Sequence, residues 1–141
     1  MKAYIAAGWF TPEQEQARVR ILATVRISGM DYYSPKDHGL YIKGVTKPSE
    51  VFGRNIQEIL SSDLLVVSTV GKDMGTVFEC GYAAAVCKPL VFFWESKDPL
   101  NLMLSESAHY VAKDVVELLY YLQTTVATGV IGKKSYKGEI E

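Results

Sequence analysis

The sequence has no surplus of charge, no long apolar run and few residues able to hold a metal. Its 15 Lys and Arg stand against 16 Asp and Glu, for a formal net charge of −1 at pH 7. A balanced chain of this kind has no electrostatic footprint for a nucleic acid polymer or an anionic membrane. The longest apolar stretches, Leu64–Val67 and Leu90–Trp94, are far too short to cross a bilayer. The opening residues, Met1 to Gly8, run directly into a strand pattern and lack the apolar length of a signal peptide. The cytoplasm is the expected compartment. Cysteine is scarce: Cys80 and Cys87 fall on one expected helix, roughly 10 Å apart along its axis, too far for a disulfide. Both read as buried reduced thiols. His38 and His109 have no Cys or His neighbour at ligand spacing, which argues against zinc. The glycine-rich dinucleotide fingerprint is missing, since Ala6-Ala7-Gly8 lacks its spacing. So are the Walker loop and the Gly-x-Ser-x-Gly elbow. These absences argue against nucleotide hydrolysis, nicotinamide chemistry and serine esterase activity. No internal repeat or low-complexity segment occurs.

What is present fits one folded domain. The chain has 141 residues and is 48% apolar, enough for a single core. Tyr4–Ala7 reads as a strand ending at Gly8. Thr11-Pro12-Glu13-Gln14 is a helix start, with Thr11 as N-cap, Pro12 at the first helical position and Gln14 closing a capping box. That helix is expected to stop at Gly29. Residues 31–34 read as a second strand, and 35–48 as a long polar loop of the kind that often forms a lid or binding loop. Apolar spacing predicts a helix over 49–62. The runs at 63–69 and 90–94 have the continuous apolar character of strands buried on both faces. A helix is expected over 76–87, a short helical or irregular segment over 101–107, a short strand at 110–111 and an amphipathic helix over 113–125. This alternation predicts an α/β fold, a single-domain doubly wound (Rossmann- or flavodoxin-like) parallel sheet of about five strands. The domain is expected over 1–128, with 129–141 as a C-terminal tail.

In such sheets ligands bind outside the carboxyl ends of the strands. The loops expected there carry Asp73, Glu79 and Asn101, which topology predicts to converge. A carboxylate near the edge of a buried sheet is desolvated at a large free-energy cost, and Glu79 is flanked by Val77, Phe78, Cys80, Gly81 and Ala83. The Asp73/Glu79 pair is therefore a candidate for acid, base or nucleophile chemistry on a small ligand. Tyr4 lies on a strand whose neighbours suggest burial, where its phenol needs a partner, either a carboxylate or a backbone carbonyl. Trp9 and Phe10, just past Gly8, suit either the wall of a pocket for a flat ring or a hydrophobic staple onto the first helix. Asn101 suits a loop cap or a ligand contact, and Met103 a core position or a ligand wall.

Three segments, Tyr4-Ile-Ala-Ala-Gly-Trp-Phe-Thr11, Asp73-Met-Gly-Thr-Val-Phe-Glu-Cys-Gly-Tyr-Ala83 and Asn101-Leu-Met103, occur in order and at separations that resemble the nucleoside 2-deoxyribosyltransferase family over roughly residues 4–112. The Asp-x-Gly-x-x-x-Glu-x-Gly element is its most specific mark. The resemblance implies exchange of the base on a 2′-deoxynucleoside, with deoxynucleosides and free nucleobases as partners and with no cofactor or metal. It implies Glu79 as the nucleophile that forms a deoxyribosyl ester, Tyr4 as the residue orienting it, and Asp73 as an acid contacting the substrate. Gly8, Trp9, Phe10, His38, Asn55 and Gly75 fall at substrate-binding positions. Asn101 and Met103 match residues that a neighbouring subunit inserts, so the expected active unit is a homo-oligomer, dimer-based and up to a hexamer. Two departures stand out. Asn55 replaces an Asp that some members place near the base, and an amide cannot deliver a proton by titrating. Asp37-His38-Gly39 replaces an Asn/Gln-rich stretch. The general acid is then Asp73, with water or His38 as the fallback. The runner-up function is an N-glycosidase hydrolysing nucleosides or nucleoside 5′-monophosphates, and a third is a non-catalytic nucleoside sensor.

Overall fold

The computed structural model describes residues 1–141. Its elements are β1 (Lys2–Ala7), α1 (Pro12–Ile27), β2 (Asp31–Tyr33), α2 (Pro35–His38), α3 (Pro48–Ser61), β3 (Leu64–Ser68), a 3₁₀ turn (Val70–Lys72), α4 (Met74–Ala85), β4 (Leu90–Phe93), α5 (Leu102–Ser107), β5 (Tyr110–Ala112) and α6 (Val115–Thr128). The five strands form one sheet in the order β2-β1-β3-β4-β5, every pair parallel. This is the flavodoxin-like doubly wound order, and the expected α/β architecture is the one observed. Its topological switch point, where a ligand crevice opens, lies between the carboxyl ends of β1 and β3.

Alternate strand residues face opposite sides, and each side has its own core. Ala3, Ile5, Leu64, Val66, Val91 and Phe93 pack with Ile21 and Val25 of α1 and Leu118 and Leu122 of α6. Tyr4, Ala6, Leu65, Val67, Leu90 and Phe92 pack with Ile59 of α3 and Cys80 and Ala83 of α4. No helix is long and apolar enough to cross a membrane.

Local chemistry sets the helix starts. Thr11 caps α1, Pro12 opens it, and the reciprocal bonds of Thr11 and Gln14 form the expected capping box. The helix gives way at Gly29, whose φ of +81° suits a residue without Cβ. Two features depart from the sequence reading. The stretch expected as a loop opens with the one-turn helix α2, tied down by Arg18 of α1. Arg18 is 5% exposed, and its guanidinium bonds to Glu15 at 2.9 and 3.0 Å, to Asp37 at 2.9 Å and to Ser34 Oγ at 3.1 Å. A buried arginine needs such partners. Secondly, Cys87 is exposed, not buried, because α4 ends before it and the chain turns there with φ of +58°. Residues 129–141, expected as a C-terminal tail, lie along the domain: Lys134 N–H donates to His109 O, and Leu100 exchanges backbone bonds with Glu139 and Glu141.

Candidate active site

The crevice at the switch point is a cavity of about 440 Å³. Its floor comes from the end of β1 at Ala7 and from α4, which supplies Gly75, Thr76 and Glu79. One wall is Trp9 and Phe10, with ring centroids 5.0 Å apart. The opposite wall comes from Pro35, Gly39, Leu40 and Tyr41 after β2, and from Val51 and Asn55 of α3. Phe10 is 72% exposed, so it is no staple onto α1.

Glu79 sits on the first turns of α4, partly buried. The Tyr4 hydroxyl, on a side chain with no exposure, donates to Glu79 Oε1 at 2.8 Å. Of the two partners open to Tyr4 in the sequence, the carboxylate is the one it takes. Burial pushes the Glu79 carboxyl up to about 7. The Tyr4 hydrogen bond opposes that rise, and the negative charge of Asp73 adds to it. Burial and the Glu79 charge together push the Tyr4 phenol well above its ordinary range, so it stays protonated and acts as a donor. Cys80, beside Glu79 but turned into the core, is pushed up to about 12 by burial and is chemically inert as a thiolate.

Asp73 caps α4, which therefore starts at Met74, two residues earlier than expected. Its Oδ2 accepts from Thr76 N at 2.8 Å and from Thr76 Oγ1 at 2.7 Å. Oδ1 takes no protein hydrogen bond, and Asp73 lines the cavity. The two loops that meet here are held by Gln14. Its side chain lies between Gly8 and Gly71, where an added Cβ would approach it to 2.8 Å in each case. Gly71 also has φ of +70°. Glycine at both positions lets the β1–α1 and β3–α4 loops close on one side chain. Gly8 thus supports the site from behind and does not line the cavity.

Of the residues singled out from sequence, Trp9, Phe10, Asn55, Asp73, Gly75 and Glu79 line one cavity, and Tyr4 lies beneath it. His38 does not line it. Its ring stacks on Tyr33 with centroids 5.3 Å apart, and its Nδ1 meets the Ser34 backbone. Asn101 does not converge with Asp73 and Glu79 within the chain. It caps α5, its Oδ1 accepting from Met103 N at 3.0 Å and Leu104 N at 3.4 Å. With Met103 it lines a separate groove beside Lys72, Met74 and Trp94. Sequence reasoning missed Tyr41 and Val51, which line the cavity. Tyr41 and Val51 carry no motif, and only the path of the β2–α3 segment brings them to the cavity.

A flavodoxin-like sheet with a perturbed carboxylate under an aromatic wall belongs among enzymes that act on small ring-bearing molecules. The family model for nucleoside 2-deoxyribosyltransferases matches residues 3–118, and the chain belongs to that family. It is on that ground an enzyme of the pentosyltransferase class, with nucleosides and nucleobases as the implied substrates. No curated protein matches the chain. Among solved structures it is similar to a 2-deoxyribosyltransferase from Bacillus psychrosaccharolyticus, with TM-score 0.84 and 22% identity over 97% of this chain and 100% of that one. It is similar to a 2-desoxiribosyltransferase from Leishmania mexicana, with TM-score 0.63 and 23% identity over 86% and 97%. It is also similar to the CMP N-glycosidase BcmB of Clostridium botulinum, with TM-score 0.59 and 20% identity over 88% and 98%. These likenesses speak to the fold.

Proposed function

We propose that the protein exchanges the base of 2′-deoxynucleosides through a covalent deoxyribosyl ester on Glu79, with net retention at C1′. The observation that carries this reading is the Tyr4–Glu79 hydrogen bond of 2.8 Å beneath the aromatic-walled cavity. It aims one carboxylate oxygen while leaving the other free.

Breaking the glycosidic C–N bond builds positive charge on C1′ and the ring oxygen, which a carboxylate beside C1′ stabilises and then captures. A Glu79 oxygen bonds to C1′ as the C–N bond breaks, and the bonding pair leaves with the base. Asp73 delivers a proton to that base. Its Oδ1 is free for this role because Thr76 occupies only Oδ2. The incoming base then attacks C1′ with a ring-nitrogen pair, the ester oxygen leaves with its electrons, and the proton on that nitrogen returns to Asp73. Two displacements on one centre give retention. Transfer prevails over hydrolysis when water is kept from the ester.

The active unit in this reading is a homo-oligomer, dimer-based and up to a hexamer, in which Asn101 and Met103 complete a neighbour's site. In support, both residues stand in a groove apart from the cavity of their own chain. Met103, Met74 and Phe78 leave 74, 82 and 53% of their surfaces uncovered.

The test is chromatography of the protein incubated with 2′-deoxyinosine or thymidine and free adenine, beside a Glu79→Ala control. Formation of 2′-deoxyadenosine that disappears in the control is the expected result. Free base without new nucleoside would instead identify an N-glycosidase. Hydrolysis of a 5′-monophosphate is disfavoured by the β1–α1 loop, where Gly8, Trp9 and Phe10 offer a phosphate neither charge nor hydroxyl.

A further inference from the structure

Arg18 lies outside the cavity, yet its bonds lead to one of the cavity's walls. It is a buried cation on α1. Ion pairs seldom return the full desolvation cost of such a group, and an apolar residue in its place often leaves a fold as stable. What a guanidinium does supply is direction, through a planar fork of donors that fits fixed partners. Two arms of the fork, Nε and Nη2, stay within α1 and bond to Glu15. The third, Nη1, crosses to the connection after β2, donating to Ser34 Oγ at 3.1 Å and to Asp37 Oδ2 at 2.9 Å. Glu15 also accepts from Lys36 Nζ at 2.7 Å. The cluster therefore holds Ser34, Lys36 and Asp37 against α1. Its bonds from Arg18, and then those from Lys36, hold the Glu15 carboxyl down to about 2 against the opposing effect of burial, so this carboxylate stays ionised at neutral pH.

The segment held in this way has little else to fix it. The helix α2 is a single turn, too short to persist alone. Ser34 is its N-cap residue, but the Ser34 side chain makes no capping bond; its hydroxyl oxygen accepts from Arg18 instead. Pro35, at the start of α2, lines the cavity, and so do Gly39, Leu40 and Tyr41, which follow α2 directly. Gly39 O accepts from Arg54 Nη2 at 3.1 Å. Beyond it, residues 40–46 hydrogen-bond only among themselves. The place of Leu40 and Tyr41 is thus inherited from the residues that Arg18 holds.

We propose that Arg18 is a positioning residue for substrate binding: through Ser34 and Asp37 it fixes the Leu40–Tyr41 wall opposite Trp9 and Phe10, and so sets the width of the slot that receives the base. This inference rests on the nucleoside reading of the cavity. A base held between two walls loses stacking when one of them recedes, a loss of about fivefold to a hundredfold in affinity. The groups assigned to the chemistry stand elsewhere, Tyr4 on β1, Glu79 on α4 and Asp73 at its cap, and none of them bonds to the Arg18 cluster. Losing the clamp therefore weakens ground-state and transition-state binding alike, which raises KM and leaves kcat in place.

The experiment is steady-state turnover of 2′-deoxyinosine or thymidine, with adenine as acceptor, by Arg18→Met, Asp37→Ala, the double variant and Asp37→Asn. Arg18→Met should raise the nucleoside KM by about tenfold or more, with kcat within about threefold of the parent protein's. Asp37→Ala keeps the cation but removes its tie to α2, and should raise KM in the same direction. Because both substitutions cut one tie, the double variant should be no worse than Arg18→Met alone, where independent effects would multiply. Asp37→Asn keeps an oxygen that accepts from Arg18 and should recover most of the affinity. Should Arg18→Met fail to fold, the comparison of Asp37→Ala with Asp37→Asn decides alone, since the Asp37 side chain is 35% exposed. A KM unmoved in both single variants, a loss confined to kcat, multiplying effects in the double variant, or an Asp37→Asn as impaired as Asp37→Ala overturns the inference while leaving the nucleoside reading standing. No turnover of either nucleoside by the parent protein overturns both.

Discussion

Tyr4 and Glu79 are 75 positions apart in sequence, yet the phenol of one donates to the carboxylate of the other at 2.8 Å. The strand β1 and the helix α4 that carry them pack together on one face of the sheet. The bond couples β1 to the candidate nucleophile, and it sets the balance between two opposing demands. Burial drives the Glu79 carboxyl toward its neutral acid, and the Tyr4 donor draws it back toward the carboxylate that nucleophilic attack requires.

The first consequence is a pH profile. Attack needs ionised Glu79, whose carboxyl titrates at about 7. The acid limb of kcat/KM for base exchange should have its midpoint near pH 7, because it reports the ionisation of Glu79 in the free enzyme. Replacing Tyr4 with Phe removes the group that lowers Glu79 and should move the midpoint upward. With a hydrogen bond to a charged group worth about 1.5–3 kcal/mol, the loss at pH 6.5 should be roughly 10- to 100-fold, shrinking toward pH 9. A Tyr4→Phe variant whose profile overlies that of the parent protein would show that Tyr4 does not tune Glu79.

Stability should run the opposite way. The Glu79 carboxyl titrates at about 7 in the fold against an ordinary 4.5, so the folded protein binds its proton more tightly than the unfolded chain does. That linkage favours the fold fully below pH 4.5 and is lost as pH rises through 7. Glu79→Gln keeps the Tyr4 bond and carries no charge. It should be more stable than the parent by about 1–2 kcal/mol at pH 8.5, a figure reduced for the partial exposure of Glu79, and indistinguishable from it near pH 4. Urea unfolding at the two pH values measures the difference. A constant offset at both would refute the linkage.

Asp73 combines a structural and a chemical task, and two substitutions separate them. Asparagine caps a helix about as well as aspartate, and alanine does not. Asp73→Asn should thus preserve the thermal midpoint, whereas Asp73→Ala should lose about 1 kcal/mol through the bonds to Thr76. If Asp73 protonates the leaving base, both should lower kcat by about 10²-fold or more. Near-normal exchange by Asp73→Asn would remove it from the role of acid.

The parts of the architecture that local chemistry specifies were legible in the sequence. The Thr11–Gln14 box, the stop at Gly29 and the apolar runs of β3 and β4 each act within a few residues, and their alternation implies the parallel sheet. What was not legible depends on distant partners. The helix α2 exists because Arg18, on an otherwise polar stretch of α1, reaches Ser34 and Asp37, and nothing in residues 35–48 announces that tie. Asp73 read as a loop acid, so the start of α4 was placed two residues late. His38 lay at an expected substrate-binding position, but its ring is taken by Tyr33. The groove around Asn101 also needed the tail, since Glu141 pairs with Leu100 and lines it, and residues 129–141 carry no periodic pattern.

The proposed homo-oligomer makes the last prediction. Met103 is 74% exposed and stands on α5, away from the cavity that holds its own Glu79. Beside Met74, which lines the same groove, it forms an exposed apolar patch. In an assembly it would bury apolar surface against a neighbour and exclude water from the ester. Met103→Asp places a charge at that contact, and burying an unpaired charge is strongly unfavourable. The variant should therefore sediment as a smaller species than the parent protein, with its melting temperature as a single chain little changed, since the site is solvent-exposed in the monomer. Base exchange should fall at least tenfold even though Tyr4, Asp73 and Glu79 are untouched, and the residual turnover should release more free base per new nucleoside as water enters. Sedimentation velocity and product ratios, measured on the same preparation, decide the matter. A parent protein that is monomeric and fully active at assay concentration would show that each chain completes its own site.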